Sequence, residues 1–257
     1  MSQVSTRQAA IAVTITGVAT IVTAIILVVV PGTAPLPATA DHPAKFTNTI
    51  LWFELAKDAE EVFANLGPAD DPIGQDRREI LDGINRWDFG FMVAYSAFHG
   101  ALFVLVWRLN RGRGFWNGRL YVSEGLFLAV VMLVGDVFEN IQLLRLTGYD
   151  TASDVPAGVM HQLNVWTRVK WGAIFAASAL LAVGYAVYFL RPSAKPLSRA
   201  GLFIALAFLA AAGIGFPSLA VESLRYWVEA ASACLLPAWV LALGHGLRSC
   251  FPSPERG

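Results

Sequence analysis

The sequence predicts an all-α fold, a polytopic membrane bundle of about six transmembrane helices with an extracytoplasmic amphipathic helix between the first and second spans. Three observations predict it. The 257 residues are 56% hydrophobic and only 15% charged, against about 25% charged in soluble domains, and mean hydropathy is +0.54. The apolar residues gather into six runs at 9–30, 88–107, 120–143, 165–190, 200–216 and 226–247, each near the roughly 20 residues a bilayer requires. The loops between runs alternate in basic content, as the positive-inside bias demands.

The first run ends at Pro31, and Ala38-Thr39-Ala40 has the look of a signal-peptidase site. An apolar core of 22 residues is long for a signal peptide, and prolines intervene, so an uncleaved span is expected. Residues 31–43, rich in Pro, Ala and Thr, read as an extended linker. A helix is then expected over about 46–66. Leu51, Leu55, Val62 and Leu66 recur at helical spacing, Thr47 or Asn48 can cap the start, and Gly67-Pro68 ends it. Its other face carries Glu54, Asp58 and Glu61. Interfacial helices normally carry Lys and Arg, so an acidic face favours docking on the bundle over adsorption to lipid. An acidic turn-rich loop, ADDPIGQD, follows, and a helix from about Asp76 is expected to run into the second span.

Segment 31–87 holds ten acids and five bases, whereas the loop after the second span carries Arg108, Arg111, Arg113 and Arg119 with no acid. The loop after the fourth span has Arg191, Lys195 and Arg199, and the tail has Arg248 and Arg256. These basic segments are expected in the cytoplasm and 31–87 outside. That gives a multi-pass protein of the cell (inner) membrane with both termini cytoplasmic. Trp87, Trp166 and Trp227 fall at the outer ends, and Trp107, Trp116 and Tyr188 at the inner ends. The chain, 1–257, reads as a single membrane domain with the insert 31–87 inside it. A net charge of zero gives no sign of a nucleic-acid partner. The two cysteines, Cys234 and Cys250, indicate neither a disulfide framework nor a thiolate metal site. No inverted repeat is evident between 1–110 and 119–247, which disfavours a repeat-built transporter.

Charges inside a bilayer cost at least about 2.5–3.5 kcal/mol each, so those present need a reason. They are not scattered. Asp88, Met92, Tyr95 and His99 share one face of the second span. At a rise of 1.5 Å per residue, Tyr95 lies about 10 Å and His99 about 16 Å below Asp88. The third span ends with Asp136, Glu139 and Asn140 on one face. The fourth places Lys170-Trp171 at similar depth, and Glu222, Arg225 and Glu229 follow the fifth. Pairing of Lys170 with Asp136 or Glu139 is expected, with Asp88 and Tyr95 on the same cavity and Glu54 at its mouth. The acids outnumber Lys170, so an unmatched carboxylate is available to a cation or polar headgroup. His99 is more simply a histidine bonded to backbone than a haem ligand, since haem ligation usually needs a second axial group at the same depth. Asp136, Glu139 and Asn140 are too few for a Ca²⁺ site alone. No cofactor is indicated, and no hydrolase or phosphate-loop motif occurs.

Phe53-Glu54-Leu55-Ala56, Asp88-Phe89-x-Phe91-x-x-x-Tyr95, Asp136-x-x-Glu139-Asn140 and Lys170-Trp171 stand in that order over residues 50–175. This series resembles an uncharacterised group of bacterial and fungal polytopic membrane proteins. The resemblance implies a common site formed by these residues, and no chemistry. Arg168 and the acidic loop 69–79 depart from the pattern.

Three functions fit. The first is a membrane protein that binds or carries a small cation or a polar or lipid headgroup at an outward-facing acidic site comprising Glu54, Asp88, Tyr95, Asp136, Glu139, Asn140 and Lys170. The second is a membrane-embedded enzyme using the same carboxylates for acid/base or metal chemistry. The third is an accessory subunit whose polar layer is purely structural.

Overall fold

The computed structural model describes residues 4–31, 45–111, 118–190 and 198–251. The linker, the candidate cleavage site, the loop residues Arg113, Trp116, Arg191 and Lys195 and the tail residue Arg256 lie outside the described residues, as does the side chain of Arg199. The described residues form α1 (Thr6–Val29), α2 (Thr49–Glu54), α3 (Ala59–Leu66), α4 (Pro72–Asn110), α5 (Gly118–Leu146), α6 (Ala157–Phe189), α7 (Ser198–Ala220) and α8 (Val228–Cys250), with short 3₁₀ turns at Ala152–Asp154 and Glu222–Trp227. Six of these helices are long and apolar enough to cross a membrane, and the chain is a multi-pass α-helical bundle.

Helix α1 opens with a reciprocal Ser5/Gln8 capping box and packs against α4 and α8. Its first half touches the end of α8: the Thr14 hydroxyl lies 3.7 Å from Cys250 Sγ, and Gly246 faces Val13. The start of α1 and the end of α8 therefore share one end of the bundle, and α2, α3 and the turns share the other, the insert end.

The helix expected over 46–66 is two helices. Asn48 caps α2 by accepting from the Ile50 and Leu51 amides, so the expected cap is present. The chain then breaks at 55–58, because Asp58 accepts from the Glu61 amide at 2.9 Å while Glu61 Oε2 accepts from Lys57 N at 2.8 Å. This Asp-x-x-Glu arrangement starts a new helix more favourably than it continues an old one. Apolar spacing alone does not reveal the break. Gly67, at φ +78°, supplies the left-handed turn after α3. The loop expected before Asp76 is shorter than read, since Asp71 caps α4 by accepting from Gly74 N and Pro72 takes the first helical position.

Helix α4 has 39 residues, about 58 Å at helical rise, well beyond the roughly 30 Å hydrocarbon core. Its projecting first turns hold the insert. Arg77 donates to Asn65 O, and Arg78 donates to Gly67 O, Thr147 O and Tyr149 O. Beneath them Phe53, Val62, Leu66, Leu81, Leu143 and Leu163 bury one another in a small core of their own. The insert is thus packed on the bundle, as its acidic face implied.

Candidate functional site

Each of the four elements carrying the expected site residues delivers its side chain to one place. The Lys170 ammonium on α6 sits 2.9 Å from Glu54 Oε2, 3.3 Å from Asp136 Oδ1 and in direct contact with Glu139 Oε2. The sequence pairs Lys170 with Asp136 or Glu139. The structure gives both, and adds Glu54 from the insert. Gly135 makes this possible, because a Cβ there would lie 2.9 Å from Lys170 N and 3.1 Å from its Cα. The glycine lets α5 and α6 cross closely enough for adjacent Asp136, and Glu139 one turn on, to reach the amine.

Lys170, Asp136, Glu139 and Asn140 are all buried. Tyr95 Oη donates to Asp136 Oδ2 at 2.6 Å. Asn140 Nδ2 donates to Asp88 Oδ2 at 2.8 Å and to Asn85 O at 3.2 Å. Three further participants join the cluster: Trp171 belongs to the Lys170-Trp171 motif, whereas Thr167 and Asn85 are not singled out by the sequence. The Thr167 hydroxyl lies 2.7 Å from Glu139 Oε1 and 3.1 Å from Glu54 O, Trp171 Nε1 donates to Glu54 Oε2 at 3.3 Å, and Asn85 supplies its carbonyl. A signal exists for two of them: Thr167 and Asn85 stand three residues before Lys170 and Asp88, on the same helix faces.

A cavity of about 310 Å³ abuts this cluster. Glu54, Asp88, Tyr95, Asp136 and Lys170 line it, as expected, together with Trp171. Glu139 and Asn140 stand behind that polar wall, holding Lys170 and Asp88 in place. The remaining walls are apolar: Leu27 and Val28 of α1, Leu51 of α2, Phe91 of α4 and Leu235, Leu236 and Trp239 of α8. Val28 and Leu236 are each 59% exposed on the flank of the bundle. The cavity therefore has a lip between α1 and α8, facing sideways where a bilayer would be. Away from the lip α1 and α8 approach closely, where a Cβ on Gly17 would meet Leu243 at 3.0 Å and one on Gly246 would meet Val13 at 2.6 Å.

His99, fully buried below the cavity, has Nδ1 2.9 Å from Tyr95 O. A carbonyl only accepts, so Nδ1 donates, and the backbone-bonded reading holds. Among the described residues no group of three or more His, Cys, Asp or Glu side chains is arranged to hold a metal ion. No protein-family model, curated protein or solved structure matches the chain.

Proposed function

We propose that this chain is a cell-membrane protein, with both termini in the cytoplasm, that binds an amphiphile bearing a cationic headgroup drawn from the outer leaflet. The observation that carries the reading is the two-sided cavity, acidic on the α4–α5–α6 and insert side, apolar on the α1–α8 side, and open at an apolar lip. Glu54, Asp88, Asp136 and Glu139 offer four carboxyl groups to the single ammonium of Lys170. A cationic head supplies the missing counter-charge, and the apolar walls take the first methylenes of its tail, each worth about 0.8 kcal/mol when buried. The basic loops named above support an outward-facing insert.

The test uses purified protein in mild neutral detergent, titrated with dodecylamine, butylamine and dodecyl sulfate and read by native mass spectrometry. Saturable binding of dodecylamine alone is expected, weakened by Glu54→Gln, by Asp136→Asn and by Leu236→Trp, which fills the lip. Equal binding of butylamine would reduce the site to one for small cations, and preference for dodecyl sulfate would overturn the reading.

The 2.6 Å Tyr95–Asp136 hydrogen bond beside Lys170 favours a second reading, a membrane-embedded enzyme that transfers protons to or from the same bound head. Chemical conversion of an amphiphile on incubation, lost in Tyr95→Phe with binding retained, separates it from simple binding.

A further inference from the structure

A second concavity lies on the far side of Thr167. It has a volume of about 560 Å³ and is walled by the start of α6, the end of α7, the 222–227 turn and the break between α2 and α3. Its chemistry is opposite to that of the first cavity. His161, Asn164 and Arg168 stand at i, i+3 and i+7 on α6 and face it, Lys57 faces it from the insert, and Arg225 from the turn. Glu222 is the single acid among its lining residues. Arg225 is committed: it grips Glu61 through both nitrogens and donates to Leu55 O at 2.9 Å. Lys57 has only a loose, exposed approach of 3.8 Å to Asp58. Among the described residues Arg168 and His161 have no hydrogen-bond or ion-pair partner. Asn164 fixes one wall by donating to Lys57 O at 3.2 Å. Two elements, α6 and the α2–α3 break, therefore bring two uncommitted cations and an imidazole to one hollow, although segment 31–87 as a whole is acidic. Arg168 is also the residue that departs from the Lys-Trp pattern, and the acidic cluster makes no use of it.

We infer that this hollow is a binding site for a phosphate-type oxyanion, with Arg168 and Lys57 as its cationic ligands and His161 as a further donor. A guanidinium presents paired N–H donors that match phosphate oxygens, and an ammonium adds a mobile point charge. The anion can come from a soluble phosphate or from the phosphodiester of a lipid at the membrane surface, and the two sources are distinguishable.

The experiment uses the full-length protein and follows its thermal unfolding midpoint at constant ionic strength. In one arm, in maltoside detergent, inorganic phosphate replaces chloride. In the other, in nanodiscs, phosphatidylglycerol replaces phosphatidylcholine. A saturable rise in the midpoint is expected in at least one arm. The phosphate arm marks a soluble anion and the phosphatidylglycerol arm a lipid phosphodiester. Arg168→Gln and Lys57→Gln should each raise the ligand level needed for a given rise by roughly tenfold, the loss of one charge-assisted contact. Both side chains are exposed, so neither substitution threatens the fold. No rise in either arm overturns the inference, and so does a rise that the double variant keeps. Glu54→Gln should leave the response unchanged, so failure of the amphiphile reading and failure of this one are seen separately.

Discussion

Replacing Lys170 by methionine removes the only ammonium from the midst of three carboxylates. At an effective dielectric of about 20, each charge pair near 3 Å carries roughly 5 kcal/mol of attraction, much of it offset by the cost of burying the charges. Breaking a buried pair from one side costs about 3–5 kcal/mol, because the other partner is left buried and alone. At about 2–4 °C per kcal/mol for a chain of this size, K170M should lower the unfolding midpoint by on the order of 10 °C. The Lys170→Met/Glu139→Gln double variant keeps two carboxylates and no ammonium, the same formal balance as the wild-type trio with its lysine. An isolated pair would recover fully in such a double variant. Here recovery should be partial, because Glu54 and Asp136 share the same amine at 2.9 and 3.3 Å. Fluorescence-detected size exclusion after heating, in nanodiscs, reads all three proteins. A K170M midpoint within about 3 °C of wild type, the equivalent of roughly 1 kcal/mol, would refute the claim that this amine holds the cluster together.

Gly135→Ala should drive α5 from α6, since the new Cβ meets Lys170 backbone at 2.9 Å; a loss of about 1–3 kcal/mol is expected, seen in the same thermal assay together with weakened dodecylamine binding. Arg225→Met strands buried Glu61 and should cost about 3–5 kcal/mol, with faster proteolysis of the insert; adding Glu61→Met should restore most of it, and a stable single variant would show that the clamp is idle. Topology can be read by labelling the insert at an exposed position of α3. A cysteine at exposed Glu60 in a background lacking Cys234 and Cys250 should react with an impermeant maleimide from outside, and one at Asn117 should not; the reverse pattern inverts the proposed orientation.

The spans were legible because a bilayer demands long apolar helices, and Asp88, Asp136, Glu139 and Lys170 were legible because a charge in such a run costs so much. Glu54 was legible as a site residue at the mouth of the cavity, but not its direct approach to Lys170 at 2.9 Å, which depends on how the insert docks. The break at 55–58 was masked because Leu51, Leu55 and Val62 satisfy helical spacing whether or not the helix continues. Asp58-x-x-Glu61 is the local signal that marks the break. The α1 and α8 walls were invisible for a different reason: Leu27, Leu235 and Leu236 have the composition of any lipid-facing surface, and nothing local says that a cavity lies beside them. The Arg225–Glu61 clamp joins residues 164 apart in the chain, beyond any pattern of short spacing.

The way the insert is fastened bears on how a ligand reaches the acids. Withdrawing Glu54 would break its carboxylate bonds from Lys170 and Trp171 and the Thr167 contact with its carbonyl. It would strain the Arg225 grip on Leu55 O and Glu61, and the two bonds that Glu229 accepts from the Thr47 and Asn48 amides at 2.7 Å. Hydrogen bonds to charged groups contribute about 1.5–3 kcal/mol each, so lifting this roof costs more than a single bound headgroup returns. The lip between α1 and α8 is different, since apolar Val28 and Leu236 line it and stand exposed on the flank, and neither side chain has a hydrogen bond to break. A fixed polar roof with a soft apolar side favours a ligand that is itself resident in the membrane, and disfavours a hydrated ion arriving from the water above.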